Sequence, residues 1–68
     1  MAATVDVRDM LCAQALAQVA KAAGQLAPGA ALRVAFNRDD VARDLDAWVA
    51  GRGYQVVERA AGSLTFHR

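Results

Sequence analysis

Thr4-Val5-Asp6-Val7-Arg8-Asp9-Met10-Leu11-Cys12-Ala13-Gln14-Ala15-Leu16-Ala17-Gln18-Val19 changes its hydrophobic period at Cys12. Before it, Val5 and Val7 alternate with Thr4 and Asp6, the mark of a short strand with one buried face. After it, Cys12, Leu16, Val19, Ala23 and Leu26 recur every three or four residues, while Gln14, Gln18, Lys21 and Gln25 lie opposite. That spacing predicts an amphipathic helix of about four turns. Cys12 thus falls at a strand-to-helix junction, where backbone N–H groups lack partners and the helix dipole is positive. Both features favour the thiolate, the reactive form of cysteine. The competing reading is a small buried hydrophobe, which free cysteines often are.

Working outward, Gly24 weakens the last turn of the helix and Pro28-Gly29 ends it. Leu32, Val34 and Phe36 alternate with Arg33 and Ala35, which predicts a second strand. Asn37 follows as a candidate N-cap, with Asp40 three residues later placing negative charge in the first turn. Val41, Leu45, Trp48 and Val49 mark the inner face of a second helix, with Arg43, Asp46 and Ala50 nearer to solvent. Trp48 is read as core, facing the sheet near Leu32, Val34 or Phe66. Gly51 and Gly53 stop this helix. Tyr54 to Arg59 reads as a third strand, Ala60-Ala61-Gly62 as a hairpin turn with Gly62 free to adopt positive φ, and Ser63 to His67 as a fourth strand.

The predicted fold class is an α/β two-layer sandwich of order β-α-β-α-β-β. It has a mixed four-stranded sheet and two helices on one face, because right-handed crossovers put both helices on the same side. Arg33, Ala35, Gln55, Val57, Thr65 and His67 would line the other face, too weakly apolar to signal a homodimer. The 68 residues make one small domain, expected to be a monomer. Apolar residues are 56% of the chain, many of them alanine, so the core rests on a few larger side chains.

The formal net charge is +1 with no block of like charge, which argues against a nucleic-acid arm or a polybasic membrane segment. No apolar run approaches the roughly 20 residues needed to span a bilayer. Met1-Ala2-Ala3-Thr4 lacks the charged and apolar regions of a signal peptide, so a cytoplasmic location is expected. The single cysteine allows no internal disulfide and no dithiol exchange within the chain. Asp39-Asp40 lacks the rest of a metal-ligand set and reads as helix capping. His67, on a terminal strand, is expected to be exposed with no partner for general-base work. No Ser-His-Asp set, zinc spacing or phosphate-binding glycine loop can be assembled.

The order of elements and several spaced residues resemble the TusA/SirA-like sulfur-carrier proteins over nearly the whole chain. In that family a short strand leads through Asp-x-x-Gly-x-x-Cys-Pro-x-Pro into the first helix. Here Asp6 and Cys12 match in register, and Arg8 is a frequent family residue. Pro28-Gly29 before the second strand, Arg43-Asp44-Leu45 with Trp48, and Gly53-Tyr54 before the C-terminal hairpin also match. Asp9 stands in place of the family glycine, and Ala13 and Ala15 in place of the two prolines.

The resemblance implies a sulfur carrier, sulfurtransferase-like and free of cofactor, that receives sulfane sulfur on Cys12 as a persulfide. The donor would be a cysteine desulfurase or a rhodanese-type protein, and a second protein would accept the sulfur. The resemblance also covers several pathways: tRNA thiolation, molybdenum-cofactor supply, sulfur oxidation and thiosulfate uptake. Two other readings stand beside it. One is a non-catalytic binding or regulatory module of a sulfur relay; loss of the two prolines, which pre-set φ at the helix start, favours it. The other is a redox sensor glutathionylated at Cys12. Asp9 is expected to cap the first helix through Leu11 or Cys12 N–H and to raise the thiol pKa. Arg8 is a possible counter-charge, and Asp44 reads as a charged surface residue despite its family match.

Overall fold

A computed structural model describes residues 2–67. Six elements follow in the order β1 (Ala2–Asp6), α1 (Cys12–Gly24), β2 (Ala31–Ala35), α2 (Asp39–Gly51), β3 (Gln55–Ala60) and β4 (Ser63–His67). The strands form a mixed sheet of order β1-β2-β4-β3. β1 and β2 are parallel, with Val5 opposite Val34, and β4 runs antiparallel to both β2 and β3. The predicted two-layer α/β architecture is the one observed.

Alternation explains the layers. Along β2, Leu32 and Val34 are buried while Arg33 is exposed, so one sheet face is covered and the other open. Leu64 and Phe66 join them on the covered face, and α1 and α2 pack side by side over it. From α1 the core takes Ala15, Val19 and Ala23; from α2 it takes Val41, Leu45 and Val49. The small side chain of Ala15, fully buried, lets α1 approach the sheet closely. Cys12 and Leu16, placed by the sequence on the inner face, lie at its side and are half-buried. Trp48 is half-buried too. It meets Phe66 edge-on at a ring-centroid distance of 6.2 Å and Tyr54 at 5.7 Å, as expected of a side chain facing the sheet.

The structure departs from the local reading at several points. Asn37 does not cap α2: the N-cap is Arg38, with no side-chain cap bond, because the Asn37 amide is engaged elsewhere. Asp40 instead accepts the Arg38 guanidinium at 3.0 Å and the Val41 N–H at 2.9 Å. Gly62 does not take a positive φ, whereas Gly53, just past the end of α2, does, at 75°. His67 is half-buried rather than exposed, opposite Ala31 and Gln55 in the ladder.

β3 is interrupted by an irregularity. The pairing slips between Val56 and Glu58, so that Val56 faces Phe66 but Glu58 faces Thr65. Val57 is the extra residue of a bulge and is 55% exposed. Beyond it the faces exchange. Glu58 turns to the open face and Arg59, opposite Leu64, turns to the helices, where Nη2 meets Asp46 Oδ1 at 2.6 Å.

Candidate functional site

The loop between β1 and α1 carries the cysteine, and it is held at three points. At its start, the Val7 N–H donates to Ala35 O at 2.9 Å, continuing the parallel ladder one residue past β1, and the Val7 side chain is buried. In the middle, Asp9 takes a left-handed conformation at φ 64°. A non-glycine residue there is unusual, and Asp and Asn tolerate it best. The Asp9 N–H donates to Asn37 Oδ1 at 2.9 Å, and Asn37 Nδ2 donates back to Asp9 Oδ1 at 2.8 Å. This reciprocal pair satisfies the loop backbone in the conformation that a glycine would reach freely. At its end, Leu11 is the extended N-cap of α1, and Gln14 Oε1 accepts the Leu11 N–H at 3.3 Å.

Cys12 is therefore the first residue of α1, as the change of period implied. The expectation that Asp9 caps this helix is overturned, because its carboxylate is turned to Asn37. The helix start also accounts for Ala15. Its N–H makes the first intrahelical bond, to Leu11 O at 2.8 Å, and a proline would remove that donor.

Arg8 does not meet the sulfur. Its Nε and Nη2 donate to the two carboxylate oxygens of Asp6 at 3.1 and 2.8 Å, and its backbone N–H donates to Oδ1 at 2.9 Å. These bonds hold the Asp6 carboxyl at about 2, below the ordinary 3.8. A carboxyl depressed in the fold contributes stability above its unfolded value, and that stability is lost as pH falls through the folded value. For Asp6 the window runs from about 3.8 down to about 2. Both side chains are exposed, so the contribution is small. An NMR titration of the Asp6 carboxyl should give a midpoint near 2, and Arg8→Ala should bring it back up. A midpoint indifferent to that substitution would contradict the pairing.

The sulfur's partner is Asp44. Cys12 Sγ donates to Asp44 Oδ2 at 2.7 Å, joining the start of α1 to α2 across 32 residues of sequence. Removing the thiol proton would leave two anions in contact. The thiol pKa is accordingly raised, first by this hydrogen bond, then by partial burial and by the charges of Asp44 and Asp40; Arg38 acts weakly the other way. Asp9 is not among the groups that act on the sulfur. Asp9→Gly should therefore leave the pH profile of iodoacetamide labelling superimposable on that of the wild type. A profile displaced to lower pH would show that the Asp9 charge reaches Cys12 after all.

The sequence pattern thus located Cys12 but missed its two supports. Read locally, Asn37 is a helix cap. Read locally, Asp44 is a surface charge, although its match within Arg43-Asp44-Leu45 is a signal that points to the site. A groove of about 360 Å³ lies on another flank of α2, lined by Phe36, Arg43, Asp46 and Arg59 among others, and neither Cys12 nor Asp44 borders it. Among the described residues, no group of three His, Cys, Asp or Glu side chains is placed to hold a metal ion, and no helix is long and apolar enough to cross a membrane.

Chemically, the site offers one half-exposed thiol at a helix start, held neutral by a carboxylate. Comparison with curated proteins and with solved structures gave no match. The family model described as sulfurtransferase TusA, by contrast, matches residues 3–67. Since that match runs from β1 to the end of β4 and takes in both Cys12 and Asp44, the chain belongs to the TusA family of sulfur carriers.

Proposed function

We propose that this chain accepts sulfane sulfur as a persulfide on Cys12 from a cysteine desulfurase or rhodanese-type donor and passes it to an acceptor protein. The supporting observation is a half-exposed Cys12 at the first position of α1, within a chain matched by the TusA family over residues 3–67. In the loading step Cys12 Sγ gives up its proton and attacks the outer sulfur of the donor persulfide. The donor S–S bond breaks, and the departing donor thiolate takes up the proton. One thiol and one persulfide exchange roles, with no net oxidation and no cofactor. In the second step a thiolate of the acceptor attacks the outer sulfur on Cys12, the Sγ–S bond breaks, and Cys12 leaves as a thiolate that takes up the proton given up by the acceptor thiol. Leu11, 61% exposed next to the cysteine, supplies an apolar contact for a docking partner. The carrier works in the cytoplasm as a monomer of one domain.

The short Cys12–Asp44 bond favours a second reading, a binding or regulatory module of a sulfur relay whose thiol stays protonated. A labelling experiment separates the two. A cysteine desulfurase given radiolabelled cysteine should transfer label to this chain, stable on a non-reducing gel and released by dithiothreitol. Absence of label with both desulfurase and rhodanese donors would leave the module reading in place.

A further inference from the structure

Among the contacts between α1 and α2, the Cys12–Asp44 bond is the one that formation of an S–S bond at Cys12 must break. The 2.7 Å separation of Sγ and Oδ2 is held by the thiol proton. Without that proton, a sulfur and a carboxylate oxygen at this distance lie inside their ordinary contact separation. We propose that Asp44 reads the loading state of Cys12: its carboxylate binds the empty thiol and is released when Sγ enters an S–S bond. The inference deepens the carrier reading and rests on it.

The loading step leaves no proton on Sγ, since the S–H bond breaks, the Sγ–S bond forms, and the proton departs with the donor thiol. Any remaining proton belongs to the outer sulfur. A persulfide is a stronger acid than its parent thiol, so near neutral pH the outer sulfur carries negative charge. The charged groups that face Cys12 are Asp44 and Asp40 on α2, with Arg38 just before that helix. Arg38 is engaged by Asp40. Asp40 and Arg38 thus largely offset each other, and the Asp44 carboxylate on the α2 side repels the terminal sulfur and turns it toward solvent, where an acceptor reaches it. The empty carrier ties α1 to α2 at Asp44, and the loaded carrier presents Asp44 free. Donor and acceptor therefore meet different surfaces of the same chain.

The test uses the full chain and two measurements that need no sulfur donor. In the first, methyl methanethiosulfonate converts Cys12 to a methyl disulfide, an S–S adduct with no proton on Sγ. The Asp44 carboxyl carbon and the amides of its neighbours on α2 should shift in the NMR spectrum. In the second, Asp44→Asn keeps an oxygen acceptor for the thiol and removes the charge. The pH profile of iodoacetamide labelling should move to lower pH, raising the rate near neutrality on the order of tenfold for each unit by which the thiol pKa falls. A carboxyl signal unmoved by the adduct, or an Asp44→Asn profile that superimposes on the wild type, would overturn the proposal. If both results hold and the chain takes no sulfur from any donor, the carrier reading falls while the release of Asp44 stands.

Discussion

Cys12→Ser should reduce sulfur uptake to background while leaving the fold intact. The chain has one cysteine, so no second thiol can substitute for it. A serine hydroxyl is nearly isosteric with the thiol and can still donate to Asp44 Oδ2, so the link between α1 and α2 is kept. As the first residue of α1, position 12 has no intrahelical acceptor for its N–H in either form, and the helix start is unchanged. Stability should therefore stay within about 0.5 kcal/mol of the wild type. Far-UV circular dichroism and urea unfolding check the fold, and donor-dependent labelling checks the function. A variant that folds and still gains sulfur would remove Cys12 from the mechanism.

The largest structural effect is expected from Phe66→Ala. Phe66 is fully buried on the covered face of β4, opposite Leu32 on one side and Val56 on the other. Its ring stacks on Tyr54 with centroids 5.5 Å apart and an interplanar angle of 6°, and Trp48 meets it edge-on. Truncation removes the ring that joins α2, β3 and β4, and the surrounding rings cannot collapse fully into the space. A cost of roughly 3–5 kcal/mol is expected. A chain of 68 residues has little stability beyond that, so the variant should be largely unfolded or have a much lower urea midpoint. A loss below about 1 kcal/mol would mean that the aromatic cluster is not the centre of the core.

Hydrophobic period carried most of the architecture. The change of period at Cys12 placed the start of α1, and the alternation of Leu32, Val34, Leu64 and Phe66 fixed which face of the sheet is covered. Boundaries were less legible. β1 ends at Asp6, although Val7 keeps the strand pattern, because Val7 is buried at the turn with only its N–H still in the ladder. The bulge at Val57 could not be seen, since an inserted residue leaves no mark in a run of valines and charges. Past it, Glu58 lies on the open face and Arg59 on the helix side.

Half of the candidate site was equally out of reach. Asp9 and Asn37 are separated by 28 positions, and Cys12 and Asp44 by 32. Periodicity assigns each residue to a face of its own element and says nothing about which side chains meet across elements. Asp9 looked like a local cap because capping is a local signal. Its left-handed backbone and its bonds to Asn37 exist only once β2 lies beside β1.

Under the proposed function, Cys12 accepts a single sulfur atom from a protein donor. The most direct test is intact-mass measurement of the wild-type chain after incubation with a cysteine desulfurase and cysteine, followed by digestion to locate the adduct. The expected result is a gain of one sulfur atom, carried by the peptide that contains Cys12 and reversed by a reducing thiol. An unchanged mass with desulfurase and with rhodanese donors alike, or an adduct found away from Cys12, would contradict it.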